Sequence, residues 1–398
     1  VLHVWPFLLL AAVVAPLTHR SAHYEIEHLP VIAELPDPFL RPNGKRVAAK
    51  QAWRAQRKML LDLALRYEYG ELPPIPDNVT GTETAARPWG TSGAVEKEVT
   101  LTMGPEGAVR THLLLTLPPG KGPFPIIVRG DLCWGRVTPE IVELVVKRGY
   151  ALAQFDRTEI APDSAERGGV YAAYPDYDGG RLAAWAWGYG RVVDYLLTQP
   201  YVDSKRIIAT GHSRGGKATL LAGVVDERIA LTAPNDSGCG GAGCFRLQAA
   251  KSEDIGAILK NFPFWFHPDF KQFIGHVDRL PFDQHTLKAL IAPRALLTTE
   301  ALEDLWANPE GTQQTFTAAR EVFRFLGVPD RIGTAYRHGG HEHNLTDWTA
   351  LLDFADRQLF NRPVERRFDL LPFPDAPAGY SWRSPDVPFP GKQNERPL

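Results

Sequence analysis

A serine set between glycines, a late cluster of histidines and a few scattered carboxylates are the residues here whose chemistry stands out. In Gly211-His212-Ser213-Arg214-Gly215 the hydroxyl has a glycine two positions away on each side. A serine displayed on a tight, strained turn leaves no room for neighbouring side chains, which is the demand those glycines meet. The hydroxyl becomes a nucleophile only when a base takes its proton and an acid orients that base. The cluster Arg337-His338-Gly339-Gly340-His341-Glu342-His343 offers the base. His341 follows two glycines that let the backbone turn toward a site, and His343 is the second choice. A metal held by His338, His341 and His343 would lack a carboxylate or thiol at helical spacing. Asp304, Asp236 and Glu303 are candidates for the acid, with Asp304 preferred and Asp236 left open. Arg214 is unusual directly after such a serine, because a guanidinium there can quiet a tetrahedral oxyanion or hold a substrate oxygen. Lys217, one turn on, is expected to face the same mouth as a second cation, which points to a polyoxygenated or anionic substrate.

These groups need elements that bring them together. Ile207 and Ile208 form a β-branched run before the serine, and an Ala- and Leu-rich helical segment follows it. That succession of strand, sharp turn and helix is a nucleophile elbow, with the helix N-terminus aimed at the nascent oxyanion. Upstream, 51–69 reads as an amphipathic helix, 73–88 as a loop, and 96–103 with 109–117 as an antiparallel hairpin. From 124 onward strands and helices alternate. Strands are expected at 124–128, 151–155, 229–233, 295–299 and 333–336, and helices at 139–148, 181–198, about 312–325 and 347–359. Alternation of this kind implies a mostly parallel central sheet with helices on both faces, a three-layer sandwich of α/β class. Its active site lies beyond the carboxyl ends of the strands. In the α/β-hydrolase fold the chain order is serine, acid, histidine, as found here.

The 398 residues carry a net charge of −2 and are 44% hydrophobic, which suits a large core and argues against nucleic acid as the main partner. The apolar run at 4–15 fits the core of a secretory signal, so residues 1–22 are read as a leader and the protein as secreted or periplasmic, off the membrane after processing. Residues 23–362 then form one catalytic domain, taken as monomeric, and 363–398 a Pro-rich tail that packs irregularly or frays. Of the three cysteines, Cys133, Cys239 and Cys244, the last two are the closest pair for a single bridge.

The stretch Gly211-His212-Ser213-Arg214-Gly215-Gly216-Lys217 resembles the G-[CH]-S-R-x-G-K signature of glucuronoyl esterases, carbohydrate esterase family 15. The likeness continues through Asn235 to Gly241, Phe262-Pro263-Phe264-Trp265-Phe266, Asp304-Leu305-Trp306-Ala307, and Gly340-His341 to Asp347-Trp348. Blocks at 156–159 and 283–285 look like its bacterial branch. The resemblance implies cleavage of esters between 4-O-methyl-D-glucuronic acid and lignin alcohols, with Ser213 attacking, His341 shuttling the proton and Arg214 stabilising the oxyanion. It further implies sugar contacts from Lys217, Glu253 and Trp306, an acid at either Asp236 or Asp304, and no metal or organic cofactor. His285 is expected to be a structural hydrogen-bonding residue. Another carboxyl ester hydrolase, such as an acetyl xylan esterase, needs no cation beside the serine. A carbohydrate-binding protein without turnover would have no use for the full set of Ser213, Arg214 and His341.

Overall fold

The computed structural model describes residues 26–385, so the expected leader lies outside the described residues. Nine strands form one sheet: β1 (Thr80–Trp89), β2 (Ala94–Met103), β3 (Val109–Leu117), β4 (Phe124–Arg129), β5 (Ala151–Phe155), β6 (Val202–His212), β7 (Ile229–Asn235), β8 (Ala295–Ala301) and β9 (Ile332–Arg337). Their order is β1-β2-β3-β5-β4-β6-β7-β8-β9. The first three pair antiparallel, β3 joins β5 antiparallel, and every pair from β5 to β9 is parallel. The chain runs from β4 outward to β5 and then back past β4 to β6. That reversal opens a crevice at the carboxyl ends of β4 and β6, where a doubly wound sheet binds its ligands.

The helices are α1 (Trp53–Ala64), α2 (Pro139–Lys147), α3 (Arg157–Ile160), α4 (Val170–Ala173), α5 (Arg181–Leu196), α6 (Arg214–Val225), α7 (Ile255–Asn261), α8 (Gln284–Ile291), α9 (Pro309–Leu326) and α10 (Leu345–Phe360). Strand alternation divides the core. In β4 and β6, Ile126, Val128, Ile207 and Ala209 face the cluster built with α1, α5, α6, α8 and α9, whereas Ile127 and Ile208 face the one built with α2 and α10. Side chains of period two on strands buried on both faces produce these two cores and the three layers.

One expectation is corrected, one helix was not foreseen, and the cysteine bridge weighed as possible is absent. The stretch read as a loop at 73–88 contains most of β1, an edge strand exposed along nearly its whole length. With neither face buried it carries no apolar alternation, and its single partner, β2, leaves room for Pro88. Helix α8 was not anticipated because all eight of its residues are buried, polar Gln284, His285 and Lys288 included, so no amphipathic stripe marks it. Cys239 and Cys244 are both buried and free rather than bridged. The Cys244 thiol faces Asp283 Oδ2 at 3.6 Å and accepts from the Leu247 N–H at 3.3 Å.

Residues 363–385 contain no helix or strand but are anchored by Trp382, whose indole N–H donates to the Leu35 carbonyl at 2.7 Å, and by buried Phe368. No helix among the described residues is long and apolar enough to cross a membrane.

Candidate active site

Ser213 stands between β6 and α6 with φ 54° and ψ −123°, a strained conformation for a residue with a Cβ. Its neighbours show why glycine is required. A Cβ at Gly211 would lie 2.6 Å from the Gly215 carbonyl oxygen, and one at Gly215 would lie 1.8 Å from Asp131 Oδ1. Asp131 is the clamp beneath the turn. Its Oδ2 accepts the His212 N–H at 2.9 Å and its Oδ1 accepts from Arg157 Nη1 at 2.5 Å, with both side chains fully buried. Removing one partner of such a buried pair strands the other charge.

His341 lies on the loop after β9, with Nε2 2.8 Å from Ser213 Oγ and Nδ1 2.5 Å from Asp304 Oδ2. A carboxylate only accepts, so Nδ1 carries the proton and Nε2 is left free to accept from the serine hydroxyl. Asp304 follows β8 and is almost fully buried. Glu303, beside it, points outward and receives His338 Nδ1 at 2.8 Å and the Gly339 N–H at 2.5 Å, so it anchors the histidine loop and does not touch His341's ring. His343 is no alternative base. It is half-buried and stacked on Trp348 at 5.0 Å, and the desolvation of its ring holds its pKa well below the ordinary imidazole range. The three histidines weighed as metal ligands thus turn to three different neighbourhoods.

Asp236 is the second carboxylate. Its oxygens accept from the Ala301 N–H at 2.6 Å and from Arg337 Nη2 at 3.3 Å. Burial, with further repulsion from Asp347 and Asp304, pushes its pKa up to about 8 despite the Ala301 N–H and Arg337. One donor atom each from Asp236, Asp304 and His341 lies within 4.8 Å of the other two, a grouping that could hold a cation. The contacts above already engage all three side chains, and together they account for the cluster. Arg337, which sequence reasoning missed, braces the loop that carries His341. It donates to the carbonyls of Gly340 at 3.2 Å and Glu342 at 2.5 Å and to Asp347 Oδ2 at 2.8 Å, where Asp347 belongs to the capping box of α10. A charged residue ending a buried strand was the only signal for it.

Arg214 opens α6. Its Nη1 donates to Asp163 Oδ2 at 2.8 Å, and Asp163 Oδ1 accepts the Trp265 indole N–H at 2.8 Å. The guanidinium carbon lies 4.6 Å from the Trp265 ring and 4.7 Å from Phe262, two rings stacked 3.9 Å apart. Its Nε is buried and has no hydrogen-bond partner. A buried donor left unpaired is costly unless a ligand supplies the acceptor. Asp163 carried no signal in the sequence beyond being an acid in a polar loop.

Lys217 departs from expectation. Rather than facing the mouth it is 4% exposed, and its ammonium donates to the carbonyls of Ser237 at 2.6 Å and Cys239 at 2.5 Å, with Glu253 Oε2 3.9 Å away. Burial lowers its pKa, and Glu253 opposes that. The Glu253 N–H donates to the Trp306 carbonyl at 3.1 Å, while the Trp306 side chain is half exposed. Lys217, Glu253 and Trp306 are therefore contiguous. His285 is buried, with Nε2 2.8 Å from the Pro36 carbonyl.

A family model described as glucuronyl esterase, fungi, matches residues 80–327. A 4-O-methyl-glucuronoyl methylesterase of Podospora anserina is 35% identical over 79% of this chain, and the match spans 64% of that relative. A carbohydrate esterase family 15 glucuronoyl esterase from Caldicellulosiruptor kristjansonii is 32% identical and superposes with a TM-score of 0.77 over 90% of this chain and 99% of its own. A mutant glucuronoyl esterase from Sporotrichum thermophile, solved with methyl 4-O-methyl-β-D-glucopyranuronate, is 27% identical with a TM-score of 0.69, covering 84% of this chain and 90% of that one.

Proposed function

The chain belongs to the glucuronoyl esterases of carbohydrate esterase family 15, and from that premise we propose that it hydrolyses esters of (4-O-methyl-)D-glucuronic acid by a two-step acyl transfer. Ser213 Oγ attacks the C6 carbonyl as His341 Nε2 takes its proton, and Asp304 stabilises the resulting imidazolium. The tetrahedral oxyanion is met by Arg214. His341 then hands the proton to the leaving alcohol, and a water molecule attacks the glucuronoyl-serine in the second half of the cycle, releasing the free uronic acid. Lys217, Glu253 and Trp306 form the sugar side of the site, with the Lys217–Glu253 pair offering a fixed donor and acceptor to adjacent hydroxyls. Export through the apolar run at 4–15 fits a substrate in plant cell-wall material.

The observation that carries this reading is Arg214. Its guanidinium is fixed beside the nucleophile by Asp163 and two rings, with its buried Nε unpaired. Preorganised donors of this kind act where charge develops, and losing one typically costs about 10²–10³ in kcat. Arg214→Ala is therefore expected to lower kcat on methyl glucuronate by that factor, with KM changing little. A loss confined to KM would assign the guanidinium to ground-state binding instead. The function itself is tested by rates on benzyl or methyl glucuronate, the matching galacturonate and an acetyl ester. Preference for the glucuronates is expected, and an enzyme that cleaves only the acetyl ester would overturn the proposal.

A further inference from the structure

The His341 ring has to stand over Ser213, yet the loop that carries it gives the ring little support of its own. Gly339 and Gly340 precede it, both exposed, and the His341 side chain is itself 41% exposed. A Cβ at Gly340 would meet nothing within 4 Å, so no packing hems in the backbone there. Arg337 braces the carbonyls of the loop, while Asp304 and Ser213 engage the two nitrogens at the edge of the ring. What remains is a face, and a ring from another strand meets it.

That ring is His212, the last residue of β6. Its centroid lies 4.5 Å from that of His341, with the planes 44° apart, and 6.1 Å from that of His343, with the planes 27° apart. His343 stacks in turn on Trp348, which is fully buried in α10. Two histidines of one loop thus converge on a third. His212 cannot turn freely. Asn235, fully buried, donates from Nδ2 to the Thr299 carbonyl at 3.2 Å and to its Oγ1 at 3.0 Å, so Oδ1 is the atom that faces His212 Nδ1 at 2.6 Å. An amide oxygen only accepts, which puts the His212 proton on Nδ1 and fixes the tautomer. The Asn235 carbonyl also accepts the Ser213 N–H at 2.9 Å, so nucleophile and ring hang from one residue. Burial drops the His212 pKa to about 4, with His341 adding to the effect. Near neutrality the ring is uncharged and does not oppose the imidazolium that forms on His341.

Resting on the esterase reading above, we propose that His212 is a positioning residue for the general base, a fixed ring face that holds the His341 imidazole over Ser213. It makes and breaks no bond and acts through His341 alone. The rate of proton transfer follows how well the base is oriented toward the hydroxyl. The loss of one aromatic contact of this sort corresponds to about a 3- to 10-fold fall in kcat.

The test separates the ring from its hydrogen bond. His212→Gln keeps a partner for Asn235 and loses the ring, whereas His212→Phe keeps a ring and loses the partner. kcat and KM on methyl glucuronate are measured for both variants and the wild type, with kcat expressed per folded molecule from circular dichroism at the assay temperature. His212→Gln is expected to lower kcat by about 3- to 10-fold with KM unchanged, and His212→Phe to stay within about twofold of the wild type. The reverse order, equal losses in the two variants, or no loss in either would overturn the proposal and leave His212 as a prop for the elbow. So would a change confined to KM, which would set the ring against the substrate instead. A wild type without turnover would overturn the esterase reading, and the positioning role with it, an outcome the variants cannot mimic.

Discussion

Ser213→Ala is expected to remove ester turnover, with kcat falling by about 10⁶, the scale seen when a triad nucleophile is deleted. Ser213 Oγ makes the 2.8 Å contact to His341 Nε2, and the elbow glycines leave no room for a second hydroxyl to take its place. Alanine tolerates φ 54° no worse than serine does, and the backbone bond from Ser213 N–H to the Asn235 carbonyl at 2.9 Å survives the change. The melting temperature should therefore hold while the rate collapses, and the sugar should still bind. Benzyl glucuronate turnover and a thermal melt on the same sample check both halves. Retained turnover would mean that the nucleophile lies elsewhere.

The second large effect is expected at Asp304. Asp304→Asn keeps the shape but allows the wrong tautomer of His341, a change that costs about 10⁴ in kcat in a triad of this geometry. Asp236→Asn should cost less than about tenfold, on the physical ground that its role is hydrogen bonding and not orientation of the imidazole. Asp236 accepts from the Ala301 N–H and from Arg337, and with its pKa near 8 it is largely protonated at neutral pH. The amide keeps the carboxyl's shape and an oxygen for the shorter bond, from the Ala301 N–H, and gives up only the long contact with Arg337. Linkage adds a second readout. A carboxyl raised in the folded state contributes stability that is full below its unfolded pKa and is lost as pH rises through the folded value. Wild-type stability should therefore fall between the ordinary carboxylate range and about pH 8, and Asp236→Asn should flatten that slope. Measuring kcat and melting temperature from pH 5 to 9 for both variants separates the roles. Equal losses at the two positions would mean that either carboxyl can orient His341.

Much of this architecture was readable because its causes are local. Ile126 to Val128 and Ile207 to Ala209 are apolar on both faces, the mark of central parallel strands. The glycines at 211 and 215 answer steric limits of 2.6 Å and 1.8 Å that any chain making this turn would meet. Elements with no local cause were missed. Strand β1 has β2 as its one strand partner and is exposed along nearly its whole length, and α8 is a helix submerged on every side, so neither prints a period on its residues.

At the candidate site, residue types and order singled out Ser213 and His341, since His341 follows a flexible Gly-Gly step, and the structure brings the two side chains to 2.8 Å. Which of Asp304 and Asp236 meets the His341 ring is visible only in the folded chain. The two acids follow adjacent strands, β8 and β7, at nearly the same height, and what separates them is that Arg337 and the Ala301 N–H claim one while His341 Nδ1 meets the other. The same holds for the cations. Their positions marked Arg214 and Lys217 as a pair facing one mouth, yet packing sets the first against Asp163, Phe262 and Trp265 with a donor to spare and turns the second inward onto two carbonyls. Sequence determined which functional groups exist and in what succession. Tertiary structure decided which of them are left with an unused hydrogen bond, since that depends on partners contributed by strands and loops far away along the chain.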